Sequence, residues 1–465
     1  MASGKRRRKL GRWWRVALVV LAVGVAITWW LRRETPLETR FNGAYRLDDG
    51  RLVIVTPRAG DTLRYRFMDG TSGALRPVDE LTFEAGPGWS EREPVEVVAR
   101  FDLGSGARPV GLSWTSDDGE QRGRREILPE VPGTIQSGDL ALRAKLVLPS
   151  GSGPFPAVVF VHGSGDESAV DSYFNPYQMA AQGIAGLVFD KRGTGESEGT
   201  YNQNFHLLSD DVVAAVEWLR GRPEVDPSNI HLAGYSQGGW IAPLAASKIE
   251  VRSVLIAYGP LVPVTGEDRW GYVYGLREAG FGEAEIRQVD AIAEIVGGIM
   301  DHGQNRWAEL KTALEAAEDE AWFEAVRGSD SVVGVLASLP VPMWMVRSYF
   351  SWKFRGDVPF IDRLYDPVPT VASLQVPSLW IFGGEDSSMP TQWSIDGLEA
   401  LQSEGRPIEI EVFPQAEHGI LLFDERDGER TYRSYAPGYL GLQVSWLRRQ
   451  AGLDAAPDPP LDSGL

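Results

Sequence analysis

The stretch that decides the fold of this chain is "IHLAGYSQGG", residues 230–239. Apolar residues typical of a buried strand lead through Gly234 into Ser236, and glycines at 238 and 239 open the helical pattern "QGGWIAPLAASKI". Glycine suits these positions because flanking side chains would clash where a strand and a helix pass closely. Such a serine is either part of a tight turn or a nucleophile that is held on a strained elbow.

A nucleophilic serine needs a base, and the chain has five histidines that can be compared. His162 ends a strand in "VFVHGSG", His206 precedes a helix, and His302 lies in a helical segment. His231 lies inside the strand that leads to the elbow, so we interpret it as a core histidine. His418, in "FPQAEHGI", follows the last predicted strand and precedes the last helix, which predicts a loop beside the elbow. We therefore predict His418 as the base.

The base in turn needs a carboxylate to orient it. The segment "LWIFGGEDSSMP" places Glu385 and Asp386 just past the penultimate predicted strand, at the same edge of the sheet. Serine, acid and histidine then follow one another in the chain order that accompanies the nucleophile elbow. We predict Asp386 as the orienting acid, with Glu385 as the alternative.

A loop that could stabilise a developing oxyanion follows an earlier strand. The glycines of "HGSG", residues 162–165, allow the backbone to approach a substrate, and its N–H groups can point at the site. The N–H of Gln237, next to the serine, would be a second donor. The alternative is a simple loop.

Strand and helix patterns divide the chain into regions. Residues 34–135 contain short alternating runs such as "RLVIV", "LRYRFM" and "VGLSWTS", separated by turn signals, which predict a small all-β domain, either a sandwich or a barrel. Residues 136–452 alternate strand with helix, which predicts a parallel sheet covered on both faces. Residues 262–370 within it are largely helical and are interpreted as a cap insertion. Residues 453–465 are predicted to be a disordered tail.

These motifs resemble the α/β-hydrolase superfamily, in the branch of bacterial esterases, dienelactone hydrolases and prolyl-oligopeptidase-like enzymes. The resemblance rests on "VFVHGSGDES", "FDKRGTGES", "GYSQGG", "GGEDSSMP" and "EHG", and it covers about residues 137–452. It implies an α/β-hydrolase fold with Ser236 as nucleophile, Asp386 as acid and His418 as base. It also implies that Ser164 and Gln237 provide the oxyanion N–H groups and that Arg192 braces its own loop.

Three activities are compatible with these residues. The first is hydrolysis of a small carboxylic ester through an acyl-enzyme intermediate. A serine peptidase or an acyltransferase would use the same triad, so the motifs do not separate them. Within the insertion, "PVPMWMVRSYFSWKF", residues 340–354, is rich in aromatic residues and methionine, and is either cap core or a wall of the substrate pocket.

The composition of the chain limits the kinds of ligand and partner that it is expected to bind. The chain contains no cysteine, which excludes disulfides, thiolate nucleophiles and cysteine-bound metals. Beyond residue 33 it carries 37 of the 46 Lys and Arg residues and all 64 Asp and Glu residues, a net charge of −27. So acidic a body is unsuited to nucleic acid. We predict a small-molecule substrate, an ester or a short peptide, and neither a cofactor nor a metal.

The N-terminus suggests a membrane anchor. Seven cations within residues 5–15 precede an uncharged run at 16–31, "VALVVLAVGVAITWWL", and Trp29 and Trp30 would lie at the far interface. As a helix this run spans about 24 Å, somewhat less than the hydrocarbon core of about 30 Å. The positive-inside rule predicts a transmembrane helix within residues 1–33 and a catalytic body outside the cytoplasm. A small-x-small pattern at Gly24 and Ala26 leaves a cleaved signal peptide, and hence secretion, as the alternative.

Overall fold

The structure of the protein is a computed structural model that describes residues 39–58, 62–339, 342–353, 360–426 and 429–453. It contains an antiparallel barrel, a larger mixed sheet with helices on both faces, and a small three-stranded sheet. We number strands and helices separately in chain order.

The barrel is closed because its first and last strands pair with each other. Its eight strands, all joined in antiparallel fashion, are β1 (Gly43–Leu47), β2 (Leu52–Pro57), β3 (Leu63–Phe67), β4 (Ser72–Pro77), β5 (Thr82–Ala85), β6 (Val97–Asp102), β7 (Gly111–Ser116) and β8 (Gly119–Arg125). Alternate side chains of β3 point inward, where Tyr65 and Phe67 pack edge-on against Trp114. The all-β region expected from the sequence is thus a barrel. Its interior is filled with side chains.

The second sheet has the strand order β16-β15-β14-β13-β11-β12-β10-β9. Its strands are β9 (Glu130–Ser137), β10 (Leu140–Val147), β11 (Phe155–Val161), β12 (Ala185–Phe189), β13 (Val225–Tyr235), β14 (Ser253–Ala257), β15 (Ser378–Gly383) and β16 (Ile408–Phe413). β10 is antiparallel to both of its neighbours, whereas β11 to β16 pair in parallel. The carboxyl ends of β11, β13 and β15 therefore meet at one edge. β9 already belongs to this sheet and spans the expected boundary at 135/136.

Helices cover both faces of the sheet and form the insertion. They are α1 (Ala169–Ser172), α2 (Asn175–Ala180), α3 (Phe205–Arg220), α4 (Gly238–Ala246), α5 (Val264–Glu278), α6 (Glu283–Met300), α7 (Trp307–Ala317), α8 (Phe323–Arg327), α9 (Val332–Ser338), α10 (Met343–Lys353), α11 (Val368–Ser373), α12 (Thr391–Ser403) and α13 (Tyr439–Gln450). α3, α4 and α12 pack on one face, and α2 and α13 pack on the other. This arrangement explains why the parallel strands are apolar on both sides.

The insertion has an apolar core of its own, which includes Leu276, Val289 and Leu310 from three successive helices. In the aromatic segment at 340–354, Val346 is buried in this core, whereas Trp344 and Met345 are exposed. Residues 340, 341 and 354 lie outside the described residues. Of the side chains of Trp344, Met345 and Val346, only that of Val346 fits the interpretation of this segment as cap core.

A small antiparallel sheet follows β16 and consists of β17 (Ala416–Glu417), β18 (Leu421–Arg426) and β19 (Glu429–Tyr435). The sequence predicted only a loop before the last helix here. The three strands are short, and β18 and β19 are rich in charged residues, so their pattern does not stand out as that of a buried sheet.

The prediction of a transmembrane anchor has to be corrected. Among the helices that the structure describes, none is long and apolar enough to cross a membrane. This finding contradicts the prediction of a single-pass membrane protein with its body outside the cytoplasm. Residues 1–38, which include the run at 16–31, and the expected tail at 454–465 lie outside the described residues.

Candidate active site

Ser236 lies on a sharp turn between β13 and α4. Its φ is 52°, in the left-handed region that non-glycine residues rarely adopt. Glycine flanks it because space is short: a Cβ on Gly234 would lie 2.4 Å from the carbonyl oxygen of Gly238, and a Cβ on Gly238 would lie 2.5 Å from that of Val161. The strained elbow is therefore the reading of "GYSQGG" that fits the geometry.

The structure brings together the three residues that the chain order singled out. The hydroxyl of Ser236 donates to His418 Nε2 at 3.2 Å, and His418 Nδ1 donates to Asp386 Oδ2 at 2.9 Å. Ser236 follows β13, Asp386 follows β15, and His418 follows β17. The parallel register brings the ends of β13 and β15 to one edge of the large sheet. His418, which follows β17 of the small antiparallel sheet, completes the chain of hydrogen bonds there.

Asp386 and Glu385 differ sharply in their surroundings. The side chain of Asp386 is fully buried, and its Oδ1 accepts the backbone N–H groups of Ser388 at 2.9 Å and Met389 at 3.1 Å. Glu385 is exposed to solvent. A buried carboxylate with fixed hydrogen bonds can hold an imidazole in one orientation, and an exposed one cannot do so as well.

Charge around His418 favours its protonated form. Burial lowers the pKa of His418, but the carboxylate of Asp386, assisted by Glu417 and Glu267, outweighs burial and leaves the pKa raised above its ordinary value of 6.5. The ring of Tyr258 packs edge-on against the imidazole, with the ring centroids 4.9 Å apart. Tyr258 itself has a φ of 41° directly after β14.

The two backbone N–H groups predicted as oxyanion donors are those of Ser164 and Gln237. Within the described part of the chain, neither the N–H of Ser164 nor that of Gln237 donates a hydrogen bond to another residue. Gln237 directly follows the serine and caps α4, whose dipole places positive charge there. The loop that carries Ser164 lies beside the nucleophile, since a Cβ on Gly163 would lie 3.4 Å from the Cβ of Ser236.

Two side chains bind the carbonyl groups of the same loop. Lys191 Nζ donates to the carbonyl of Gly163 at 2.8 Å, and the hydroxyl of Tyr201 donates to the carbonyl of Ser164. Burial lowers the pKa of Lys191 to about 8. These contacts restrict the orientation of the loop. Neither residue was predicted from the sequence as part of the site, although Lys191 lies within the quoted segment "FDKRGTGES".

A second network, which was not predicted from the sequence, surrounds Asp386 and His418. Glu417, next to His418, is buried and accepts from the N–H of Ser387 at 3.2 Å and from the hydroxyl of Tyr432 at 3.0 Å. Arg430 lies 3.6 Å from Glu417 and donates to the carbonyl of Glu385 at 2.9 Å. The small sheet β17–β19 therefore ties the loop of the acid to the loop of the base.

His231 and Arg192, which the sequence also singled out, do not belong to the hydrogen-bonded chain of Ser236, His418 and Asp386. His231 is buried between Ser253 and Asn229, its ring nitrogens 2.7 Å and 3.0 Å from their side-chain oxygens, and burial lowers its pKa to about 3. This agrees with a core histidine. Arg192 makes two hydrogen bonds to the carboxylate of Asp211 in α3, at 2.8 Å and 2.7 Å, which fits a loop brace.

No group of three or more metal-binding side chains is found among the described residues.

Comparison with known proteins identifies a family. The model of the "Alpha/beta hydrolase family" matches residues 158–433, more than half of the chain. "Esterase EstD" of Thermotoga maritima is 31% identical over 146 residues, which are 29% of this chain and 35% of that protein. The chain thus matches only about a third of the length of that esterase.

A second relative is matched over more of its length. "Thiohydrolase aneE" of Aspergillus aculeatus is 34% identical over 314 residues, which are 62% of this chain and 86% of that protein. Among solved structures, the "Alpha/beta hydrolase GrgF" from Penicillium sp. sh18 is 18% identical, with coverage of 70% of this chain and 100% of that chain and a TM-score of 0.42. On the strength of the family match and of the thiohydrolase match, the chain belongs to the α/β-hydrolase family.

Proposed function

We propose that the protein is a serine hydrolase that cleaves carboxylic esters through an acyl-enzyme intermediate. Ser236 is the nucleophile, His418 the base and Asp386 the acid that orients the base. The observation that carries the proposal is the hydrogen-bonded chain of 3.2 Å and 2.9 Å through these three residues, built on a serine with a φ of 52°. A merely structural serine would not need such an elbow.

Acylation begins at the hydroxyl of Ser236. Its oxygen attacks the carbonyl carbon of the ester while its proton passes to Nε2 of His418. The carbonyl oxygen becomes an oxyanion and accepts the N–H groups of Ser164 and Gln237. When the tetrahedral intermediate collapses, the bond to the alcohol breaks, and the alcohol leaves with the proton from His418. The acyl group remains on Ser236 as an ester.

Deacylation repeats these steps with water. His418 takes a proton from a water molecule, whose oxygen attacks the acyl carbon, and the same N–H groups receive the negative charge. The bond to Ser236 then breaks, His418 returns the proton to the serine oxygen, and the carboxylic acid leaves. Asp386 stays ionised throughout and stabilises the imidazolium that forms in each half-reaction.

The choice of an ester over an amide rests on the relatives. The curated relatives reported above are named an esterase and a thiohydrolase. Oxygen and sulfur esters have better leaving groups than amides, and the same residues act on both. A thioester is therefore included with the substrates to be tested.

The test is a panel of substrates with one reaction centre and different leaving groups. It contains p-nitrophenyl esters with acyl chains of two to twelve carbons, an acyl thioester and peptide p-nitroanilides. Each substrate is tested with the wild type and with Ser236→Ala. We expect hydrolysis of esters, and a loss of several orders of magnitude in kcat for Ser236→Ala. Faster cleavage of the peptide anilides than of all esters would show that the protein is a peptidase.

A further inference from the structure

Glu267 is a carboxylate whose charge acts on His418, and the proposed mechanism does not use it. It lies in the first turn of α5, which begins seven residues after β14 ends at Ala257. The first residue after that strand is Tyr258, whose ring contacts His418. The start of α5 therefore lies over the catalytic edge of the sheet.

The face of α5 that carries Glu267 also carries two aromatic side chains. Trp270 and Tyr274 follow Glu267 at i+3 and i+7 and share its face. The ring of Trp270 packs against that of Trp393 in α12, with the centroids 5.6 Å apart. Tyr274 accepts a hydrogen bond of 2.5 Å from Arg430, which also donates to the loop of the acid.

Among the described residues, the carboxylate of Glu267 accepts no hydrogen bond and forms no ion pair. By contrast, the adjacent Asp268 accepts the N–H of Val332 at 2.6 Å and a hydrogen bond of 3.3 Å from Arg363. Burial raises the pKa of Glu267 to about 7, a shift that His418 opposes and Asp386 adds to. A carboxylate so placed is costly to ionise unless a cation joins it.

The cations near Glu267 already have other partners. Arg363 lies between Asp268 and Asp301, at 3.3 Å and 2.9 Å. Arg430 lies within ion-pair distance of Glu417 and Glu425, and its guanidinium lies over the ring of Phe423. We therefore expect the counterion of Glu267 to come from outside the described residues.

We propose that Glu267 and the ring of Trp270 form a subsite for an ammonium group of the substrate. On this proposal, which rests on the proposed function, the enzyme favours esters that carry a positive charge near the scissile bond. A carboxylate supplies the opposite charge, and an indole face attracts cations through its quadrupole. The net charge of −18 steers a cation toward the protein as well.

The subsite should respond to pH in one direction. The groups that act on Glu267 are His418, Asp386, Asp268 and Asp330. Since its pKa is about 7, Glu267 is mostly neutral at pH 6 and mostly ionised at pH 8. The preference for a charged ester over a neutral one should therefore rise between these values. Protonation of His418 affects both esters alike, so it cancels in the ratio.

The experiment compares esters that differ only in charge. One pair is butyrylcholine and 3,3-dimethylbutyl butyrate, in which carbon replaces the ammonium nitrogen. The other is p-nitrophenyl 6-aminohexanoate and p-nitrophenyl heptanoate, which carry the difference on the acyl side. The quantity is the ratio of kcat/KM for the charged ester to that for its neutral partner, in the wild type, Glu267→Gln and Glu278→Gln. Glu278 is an exposed acid of the same helix and controls for net charge.

We expect Glu267→Gln to lower this ratio about tenfold in at least one pair, which corresponds to about 1.4 kcal/mol, and Glu278→Gln to leave it within threefold. A fall of less than threefold in both pairs overturns the subsite. If Glu267→Gln does not fold, inhibition of the wild type by butyltrimethylammonium and by its uncharged isostere 2,2-dimethylhexane decides instead. Tighter inhibition by the cation, by threefold or more, supports the subsite, and a smaller difference overturns it. If the wild type hydrolyses none of the four esters, the proposed function fails and the subsite falls with it.

Discussion

At the scale of the residue, the proposed mechanism depends on the orientation of the His418 imidazole. His418 donates from Nδ1 to the buried carboxylate of Asp386, so the neutral ring presents the lone pair of Nε2 to Ser236. The two backbone N–H groups on Oδ1 of Asp386 prevent the carboxylate from turning. The tautomer of the base is therefore set by the loop after β15.

Asp386→Asn should reduce kcat about 10⁴-fold, because an amide at this position favours the wrong tautomer of His418. Glu385→Gln is the matched control, since it also removes one carboxylate and lies one residue away in an exposed position. We expect it to retain kcat within threefold in the ester assay. If Glu385→Gln is the inactive variant instead, the orienting acid is Glu385.

The pH dependence of kcat/KM should report the raised pKa of His418. The base must be neutral to accept the proton of Ser236, so activity rises as pH increases through this pKa. Since the pKa lies above the ordinary 6.5, the acid limb should have its midpoint above pH 6.5 for a neutral ester. A midpoint at or below 6.5 would contradict the described electrostatics.

Ser236, Asp386 and His418 could be predicted from the sequence as a candidate triad, because the predicted chain order is fixed and the residues follow predictable strands. The sequence could not place Lys191 or Glu267. The role proposed for Lys191 depends on its hydrogen bond to the carbonyl of Gly163, and the role proposed for Glu267 depends on the position of α5. Neither depends on a sequence spacing that could be recognised locally. Such residues become visible only when the strand ends meet.

At the scale of the element, the proposed oxyanion hole depends on the orientation of the loop after β11. Lys191 and Tyr201 bind the carbonyls of Gly163 and Ser164 and thereby restrict the orientation of that loop. We regard Lys191 as a positioning residue. Its effect should appear in the chemical step, since it lies behind the loop.

Lys191→Met should lower kcat for a neutral ester about tenfold, because the oxyanion donor loses its fixed direction. KM should change less than threefold. Lys248→Met is the control: Lys248 also forms hydrogen bonds, to Ser209 and Asp210, but on the outer side of α3 and α4. Steady-state kinetics of both variants decides, and an unchanged kcat in Lys191→Met would remove the residue from this role.

The elements differ in how well their sequences predict them. The largely helical character predicted for residues 262–370 agrees with α6, whose apolar residues recur at the helical period. The helical pattern at 306–326 is divided in the structure into α7 and α8. The strand pattern of β8, β18 and β19 is weak because these strands are rich in charged residues, and pairing with a neighbouring strand overrides that signal.

At the scale of the whole molecule, the barrel and the hydrolase sheet share an apolar core. Leu52 and Ile54 of β2 pack with Val147 of β10 and with Tyr177 of α2. Since these side chains are buried against one another, we expect the barrel to unfold together with the catalytic part. A connection through a flexible linker alone would leave them independent.

Ile54→Ala should lower the free energy of unfolding of the protein by about 2–4 kcal/mol, because it opens a cavity in this shared core. Ile127→Ala is the control, since Ile127 is 82% exposed. Chemical denaturation should show a single transition that shifts in Ile54→Ala only. Two separate transitions, with only the barrel affected, would contradict a shared core.

The central claim for the whole molecule is that Ser236 forms the covalent intermediate. A fluorophosphonate probe, which labels a serine only when a base activates it, tests this directly when the labelled protein is digested and examined by mass spectrometry. We predict one adduct, on the peptide that contains Ser236, and none in Ser236→Ala. An adduct at another residue, or an active enzyme that the probe does not label, would contradict the account.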